Sequence, residues 1–223
     1  NEAEQIGAAI CSARDAGAGE VLVADGGSVD ETLRRSREAG AVTVSSRRGR
    51  GLQQNEAARQ ATGDVLLFLH ADCRLPVTAG EQVATALHDE RVVAGAFRQR
   101  IDAAGLRFRV LESGNAWRAG WLRQPYGDQG LFVRRTVFQR LDGFPEVRLL
   151  EDLLLVRHLR TRGRLVLLPG PLLVSARRWK RHGMCRQTLR NWCILLAERL
   201  GVSPDRLAGY YPRHDRREEP DGA

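Results

Sequence analysis

The chain has 223 residues, 43% hydrophobic and 28% charged, a composition typical of a soluble globular protein with its own core. Its net charge of +8 comes almost entirely from arginine and either reflects codon usage or suits an anionic partner such as a nucleotide or an anionic lipid. The arginines are spread along the chain rather than gathered in one stripe, which disfavours a nucleic-acid-binding protein.

Strands and helices alternate through the first half of the chain. Apolar runs predict four strands, and amphipathic segments between them predict three helices. The strands are 20–25, 41–46, 64–72 and 92–101, and the helices are 30–40, 52–63 and 78–90. This order predicts an α/β fold with a mostly parallel central sheet and helices on both faces.

The second half is less regular, but its elements are also readable. The pattern predicts four helical segments, one loop followed by a strand, and two further strands. The helical segments are 106–121, 136–144, 151–163 and 184–201, the loop and strand are 125–133, and the further strands are 164–170 and 172–179. We expect a single domain over 1–212, with halves at about 1–102 and 103–212, and a polar, disordered tail over 213–223.

Ionisable side chains stand near the ends of predicted strands or at a helix start. They are Asp25, Asp72 and the adjacent pair Glu151–Asp152, and glycine-rich turns lie at 26–28, 49–51 and 126–130. In open α/β sheets, ligands bind beyond the carboxyl ends of the strands. Asp72 therefore suits a hard divalent cation on a diphosphate, although an Asp before a proline turn also serves as a simple cap. Without GxGxxG after the first strand or GxxxxGK[ST], dinucleotide and P-loop enzymes are disfavoured.

Five segments in order resemble the family-2 glycosyltransferases of the GT-A fold. They are ADGGSVDET (24–32), GRGLQQNEAARQATGDVLLFLHAD (49–72), GLFVRRTVFQRLDGF (130–144), EDLLLVRHLRTRG (151–163) and RRW (177–179). The opening residues look like the end of the family's first motif, so the strand that normally precedes it is expected to be missing. The resemblance implies a metal-dependent enzyme that uses a nucleotide-diphosphate sugar.

On the donor side, the resemblance gives each matching residue a role. Asp25 would contact the nucleotide base, with Glu2 close to the nucleoside, and Asp72 would be the Mn²⁺ or Mg²⁺ ligand that ends the DxD motif. His70 replaces the first Asp of that motif and is expected near the ribose or the phosphates. The polar residues of the 49–72 segment that would contact base and phosphate are Arg50 and Gln54.

On the acceptor side, the resemblance makes Asp152 the general base of an inverting transfer. Gly127, Asp128 and Gln129 would line the donor and acceptor pocket. The same pocket is expected to include Glu151 and Trp179, and the arginines implied on the diphosphate are Arg177 and Arg178. The segments PYGDQG and SARRW look like a compact bacterial subgroup associated with radical-SAM partners and arsenosugar synthesis.

Two other functions remain open at this point. A nucleotidyltransferase on a related sheet would make the sugar nucleotide, although the single lysine, Lys180, lies far from the first strand. A binding protein with a decayed site would bind nucleotide and metal weakly and consume no donor. Nothing in these residues identifies the sugar, the acceptor or the nucleotide base.

The remaining predictions concern the location of the protein. No apolar run approaches the roughly 20 residues of a membrane span. Cysteines at 11, 73, 185 and 193 form no CxxC pair, which disfavours structural zinc. With no signal-peptide pattern they favour the cytoplasm. The basic, amphipathic segment 184–201 either packs on the domain or makes a peripheral contact with the inner face of a membrane.

Overall fold

The structure, a computed structural model, describes residues 1–121, 123–177, 179 and 183–210, with the side chains of 184–186 left out. It has an α/β fold with helices on both sides of its central sheet, which confirms the fold class. Arg178 and the segment 213–223 lie outside the described residues, so the predictions made for them stay predictions.

The chain opens with a helix that the sequence analysis does not assign. Helix α1 (Ile6–Asp15) buries one face through Ile6, Ala9, Ile10 and Ala13, at the spacing of a helix packed on a core. Strand β1 (Leu22–Asp25) then pairs in parallel with β2 (Val42–Ser45). This two-stranded sheet carries Asp25 at its carboxyl end.

A second sheet has five strands and mixed directions. In chain order they are β3 (Val65–Phe68), β4 (Cys73–Arg74), β5 (Val92–Asp102), β6 (Leu131–Arg134) and β7 (Arg164–Ser175). The spatial order is β3-β6-β5-β7-β4, where β5 and β7 are parallel and the other pairs are antiparallel. The expectation of a mostly parallel sheet is therefore wrong, because an apolar run buried on both faces does not encode the direction of its neighbour.

Helices cover both faces of the sheet. Besides α1, the α-helices in the described part of the chain are α2 (Thr32–Glu38), α3 (Arg50–Gln60), α4 (Ala79–Leu87), α5 (Leu106–Trp121), α6 (Arg135–Arg140), α7 (Glu151–Arg160), α8 (Met184–Arg199) and α9 (Pro204–Leu207). Successive residues of β6 enter different cores: Leu131 and Val133 pack with α3, α6 and α7, whereas Phe132 packs with α1 and α4. This alternation follows from the two-residue repeat of a strand.

His70 and Asp72 lie beyond the end of β3. The predicted strand 64–72 ends at Phe68, and a turn closed by the Cys73 N–H on the His70 carbonyl oxygen, at 3.0 Å, separates β3 from β4. Both side chains therefore belong to a turn between two strands of the same sheet. No helix in the described part of the chain is long and apolar enough to cross a membrane.

Candidate active site

Asp25 is fixed by the turn that follows β1. Its carboxylate accepts hydrogen bonds from the backbone N–H groups of Gly27 at 2.9 Å and Ser28 at 3.0 Å. Burial alone would raise the pKa of Asp25, but the hydrogen bonds from Ser28 and Gly27 outweigh it and lower that pKa. Gly27 has a φ of +96°, which glycine adopts without strain and which lets this turn form.

A long-range ion pair links the first residues to the end of β7. Arg177 Nη2 donates to both carboxylate oxygens of Glu2, at 2.7 and 3.0 Å. The hydrogen bond with Glu2 raises the pKa of Arg177, and the charge of Asp72 adds to the effect. Three residues that the sequence analysis places around the nucleoside and diphosphate therefore lie together, although their positions are far apart in the chain.

Helix α3 turns its first residues toward the same edge. Arg50, at its first position, has Nη1 3.9 Å from Glu151 Oε1. One turn later, Gln54 has a buried Oε1 with no hydrogen-bond partner in the described part of the chain. Gln53, which the sequence analysis misses, donates through Nε2 to the Ala24 carbonyl oxygen at 2.9 Å and lies against Gly26. Because successive side chains of a helix point in different directions, Gln53 and Gln54 have different surroundings. Gln53 supports the turn that holds Asp25.

The turn after β3 faces the loop before β6. Cys73 Sγ lies 3.7 Å from Asp72 Oδ1 and 4.0 Å from the Asp128 carbonyl oxygen, so the two aspartates are close neighbours. Gln99 Nε2 also donates to the Asp128 carbonyl oxygen, at 2.9 Å. The side-chain oxygen Oδ1 of Asp128 is buried and has no hydrogen-bond partner within the described ranges. A buried carboxylate oxygen left without a donor is a suitable position for a cation.

Asp152 and His70 converge on Gly127. The Gly127 N–H donates to Asp152 Oδ2 at 2.5 Å, and the Leu153 N–H donates to Oδ1 at 2.8 Å. A methyl group placed on Gly127 would lie 3.1 Å from Asp152 Oδ2 and 3.4 Å from His70 Nε2. The glycine thus lets the loop approach the carboxylate closely, and the structure brings His70 and Asp152 to one point.

Glu151 has a different environment from its neighbour. It is 4% exposed and lies against Gly51 of α3. Burial, followed by the charge of Asp152, raises the pKa of Glu151 to about 7, and Arg50 opposes the shift. Glu151 is therefore a buried carboxyl next to Asp152, and its expected place in the pocket stays a prediction.

Arg118 and Tyr126 are two residues of this region that the sequence analysis misses. The guanidinium carbon of Arg118 lies 3.3 Å from the centroid of the Tyr126 ring. Burial lowers the pKa of Arg118, while the charges of Tyr126, Asp128 and Asp152 act in the opposite direction. The signal in the sequence is weak, because an arginine in an amphipathic helix usually faces water.

Gln129 and Trp179 differ in burial, and the pocket role expected of Trp179 stays a prediction. Gln129 is fully buried, and its Oε1 accepts hydrogen bonds from the Tyr126 N–H at 3.0 Å and Arg118 Nη2 at 3.2 Å. Gln129 therefore stabilises the loop from the interior, because its side-chain amide is hydrogen-bonded within the protein. Trp179 packs against two core clusters, one of which contains Phe108.

Among the described residues, no group of three His, Cys, Asp or Glu side chains could by itself hold a metal ion. A magnesium-type ion bound with a substrate phosphate needs only one or two protein carboxylates, because phosphate and water oxygens complete its shell. Asp72 meets that smaller requirement, and the unpartnered buried oxygen of Asp128 is a second candidate ligand on the adjacent loop.

Comparisons with known proteins show the family of the chain. The profile of a family described as Glycosyl transferase family 2 matches residues 1–142. No curated protein matches the chain.

Three similar solved structures show the same fold at low identity. A mannosyltransferase from Pyrobaculum calidifontis, in complex with GDP-Man and Mn²⁺, has a TM-score of 0.61 and 24% identity over 94% of this chain and 65% of its own. S. aureus TarS 1-349 in complex with UDP-GlcNAc has a TM-score of 0.58 and 18% identity, over 78% of this chain and 56% of its own. Glucosyl-3-phosphoglycerate synthase from Mycobacterium tuberculosis was solved in complex with Mn²⁺, UDP and glucosyl-3-phosphoglycerate. It has a TM-score of 0.54 and 20% identity, over 78% of this chain and 67% of its own. The chain thus spans little more than half of the TarS 1-349 fragment.

Proposed function

The chain belongs to glycosyl transferase family 2, and from this premise we propose that it is an inverting glycosyltransferase. It would move a sugar from a nucleoside-diphosphate donor to an acceptor hydroxyl. The observation that carries the proposal is the Asp152 carboxylate, held by the Gly127 N–H at 2.5 Å beside His70 and near the Asp72–Asp128 pair. The proposed general base and the proposed oxygen site for a diphosphate-bound cation would thus lie in one region.

The donor would bind along the edge between the two sheets. Asp25, fixed by its turn, would meet the nucleotide base, and Arg50 and Gln54 lie on the neighbouring helix. Arg177 is the candidate for the diphosphate, because a guanidinium binds phosphate oxygens in pairs. Its present partner, Glu2, shares the exposed ion pair and would exchange with the phosphate.

A divalent cation fits the oxygen donors of Asp72 and Asp128. Mn²⁺ or Mg²⁺ on the diphosphate would neutralise the charge that develops on the leaving group. His70, which replaces a carboxylate of the DxD motif, has its Nε2 near Gly127 and Asp152, toward the sugar side of this region. We assign it to the ribose or phosphate oxygens.

The reaction asks one carboxylate to accept a proton. The acceptor oxygen would attack the anomeric carbon as the bond to the diphosphate oxygen breaks, and its proton would pass to Asp152. The backbone hydrogen bonds to Asp152 fix both of its oxygens and leave each a further lone pair. Attack from the face opposite the leaving group inverts the configuration, and the nucleoside diphosphate departs with the bonding electrons.

The resemblance to a bacterial subgroup extends this proposal. Segments 125–130 and 175–179 support an enzyme that acts with radical-SAM partners, with arsenosugar synthesis as one such setting, and the scattered cysteines favour the cytoplasm. Donor consumption with candidate acceptors from that chemistry, compared with water alone, tests the extension separately from the activity itself.

The first test is a thermal-shift panel of UDP, GDP, CDP, dTDP and ADP, each with and without Mn²⁺. A ligand that binds only the folded state raises the unfolding midpoint by mass action. We expect one base to give a selective, Mn²⁺-dependent rise, and the matching donors are then tested for turnover. If no nucleotide shifts the midpoint, or if the selected donors are never consumed, the proposal is wrong and a decayed binding protein is favoured.

A further inference from the structure

The outward face of helix α5 carries four large apolar side chains, two near each end, with Ser113 and Gly114 between them. Leu106, Val110, Trp117 and Trp121 follow one another at helical spacing and all are exposed, Trp121 by 80%. The two indole rings are stacked, with centroids 6.4 Å apart. The opposite face of the helix, with Phe108 and Ala119, packs against the domain. Exposed tryptophans on one face of a helix are rare on a surface that meets only water.

Helix α8 repeats the pattern. Leu189, Trp192, Leu196 and Leu200 are all exposed, Trp192 by 72%. The inward side is anchored instead by Ile194 and by the buried amide of Gln187. We call these four residues, together with Leu106, Val110, Trp117 and Trp121 of α5, the tryptophan surface.

Each helix turns its one carboxylate away from this surface. Glu112 of α5 lies 2.8 Å from Arg109 and accepts the Ile101 N–H, with 11% of its side chain exposed. Glu198 of α8 receives two hydrogen bonds from Arg157 of α7, at 2.5 and 2.7 Å.

The charges left outside on the two helices are positive. Arg107 and Arg199 are exposed, and neither forms an ion pair in the part of the chain that the structure describes. Both outward faces therefore combine large apolar side chains with arginine and, over 106–121 and 187–200, present no carboxylate. This combination is found in helices that lie in the plane of an anionic membrane surface.

The carboxyl ends of both helices lie beside the candidate active site. Burial raises the pKa of Tyr126, while the charges of Arg118 on α5 and Arg199 at the end of α8 oppose the shift. Tyr126 precedes Gly127, whose N–H holds Asp152. The carboxyl ends of α5 and α8 thus both lie near the loop that positions the candidate base.

We propose that the tryptophan surface docks on the headgroup region of an anionic lipid bilayer, as a peripheral and not a spanning contact. Tryptophan and leucine suit the boundary between headgroups and acyl chains, and arginine suits anionic headgroups. A second copy of the chain fits this surface less well, because a symmetric contact would oppose arginines without any carboxylate to pair with them.

Docking would bring the loop around Tyr126 and Asp152 toward the lipid headgroups. Resting on the proposed function, this favours an acceptor hydroxyl on a molecule held at the membrane surface. The docking itself does not depend on catalysis, so it is measured without donor.

The test is flotation of the full chain with vesicles of phosphatidylcholine alone or with phosphatidylglycerol added. We expect binding to the anionic vesicles, with quenching of tryptophan fluorescence by lipids brominated near the headgroup. Three of the four tryptophans, at positions 117, 121 and 192, belong to the tryptophan surface, so quenching reports contact by this surface.

Matched variants separate the surface from general charge. Trp117→Ser with Trp121→Ser should abolish flotation, whereas Val42→Ser with Val77→Ser, exposed elsewhere, should leave it unchanged. Arg107→Glu with Arg199→Glu should weaken binding by at least about tenfold, since one arginine near an anionic surface contributes about fivefold. Arg140→Glu with Arg160→Glu, at exposed positions on α6 and α7, changes the net charge equally. The logarithm of its loss in vesicle binding should be less than half that of Arg107→Glu with Arg199→Glu.

Circular dichroism and nucleotide-induced thermal shifts check that each variant is folded. The proposal is overturned if the wild-type chain ignores anionic vesicles, or if the tryptophan and control variants bind alike. A dimer seen by light scattering that the tryptophan variant disperses would assign the surface to a second copy and overturn it as well. Loss of donor turnover with intact flotation would instead contradict the proposed function alone.

Discussion

The turn after β1 and the loop before β6 both carry aspartates of the candidate site, but they use them differently. Asp25 accepts backbone hydrogen bonds from Gly27 and Ser28, within its own turn. Asp128 keeps a buried side-chain oxygen without a hydrogen-bond partner in the described part of the chain. A carboxylate satisfied by its own turn mainly shapes the backbone, whereas one with a spare buried oxygen is prepared for a ligand.

Glu151 and Asp25 also differ in the direction in which their pKa values are shifted. Hydrogen bonds hold the pKa of Asp25 below its ordinary value, while burial raises the pKa of Glu151 to about 7. Ionisation of Glu151 at the start of α7 is therefore unfavourable, whereas ionisation of Asp25 at the end of β1 is favourable. Functional sites commonly concentrate such unfavourable environments.

The largest effect is expected at Asp152. We expect Asp152→Asn to lower the transfer rate by about 10²- to 10⁴-fold, because the amide cannot accept the acceptor proton. Donor affinity should stay within a few-fold. The measurement is single-turnover transfer beside nucleotide binding, with Asp64→Asn, a fully exposed aspartate whose side chain is 99% accessible, as the control. Unchanged transfer by Asp152→Asn would exclude this residue as the base.

The next effect concerns the pH dependence of stability at Glu151. Its pKa is raised from 4.5 to about 7, so the folded state holds a proton that the unfolded state releases between these pH values. The free energy of unfolding should therefore fall by up to about 3 kcal/mol as pH rises from 4.5 to 7, and then level off. Denaturant titrations of the wild type and Glu151→Gln measure it. In Glu151→Gln, the free energy of unfolding should not show this fall with pH. If it depends on pH in the same way in both proteins, the prediction is wrong.

The third effect sharpens the comparison of carboxylates at the proposed cation site. Asp72→Asn should remove the Mn²⁺-dependent part of nucleoside-diphosphate binding, with a loss of about tenfold. Asp128→Asn should produce a smaller loss of the same kind if its buried oxygen meets the cation. Calorimetric titration of the diphosphate, with Mn²⁺ and with chelator, separates the metal-dependent part. Full metal dependence retained in Asp72→Asn would remove that residue as a ligand.

The smallest effect is expected at Asp25. Because its pKa is lowered below 3.8, the carboxylate stabilises the fold above that pH, and the contribution is lost as pH falls through the folded-state pKa. Asp25→Asn should cost about 1 kcal/mol at neutral pH and nothing in strong acid. Equal cost at both pH values would mean that the charge is not what holds the turn. A chemical-denaturation series at the two pH values decides between them.

Much of the local structure follows from the sequence. Helix α5 begins and ends at the predicted residues 106 and 121, and Glu151 opens α7 as predicted. The carboxylates near strand ends and the family of the chain are also readable, because apolar spacing and short motifs involve neighbouring residues. Helix α1 was accessible by the same means, since Ile6, Ala9, Ile10 and Ala13 have a helical spacing, but its small and polar residues weaken the pattern.

The arrangement of the site required the tertiary structure. The sequence indicates that β6 is a strand, yet its antiparallel position between β3 and β5 depends on which edges meet when the chain folds back. In the same way, Arg177 lies 175 positions from Glu2, and nothing local pairs them. Burial decides the rest: it turns Gln129 inward, brings Arg118 onto Tyr126 and leaves the tryptophans of α5 outside. The sequence by itself determined most of the elements and the chemistry they carry, because neighbours and periodicity decide those. Only the tertiary structure decided which side chains meet, because long-range packing sets that contact.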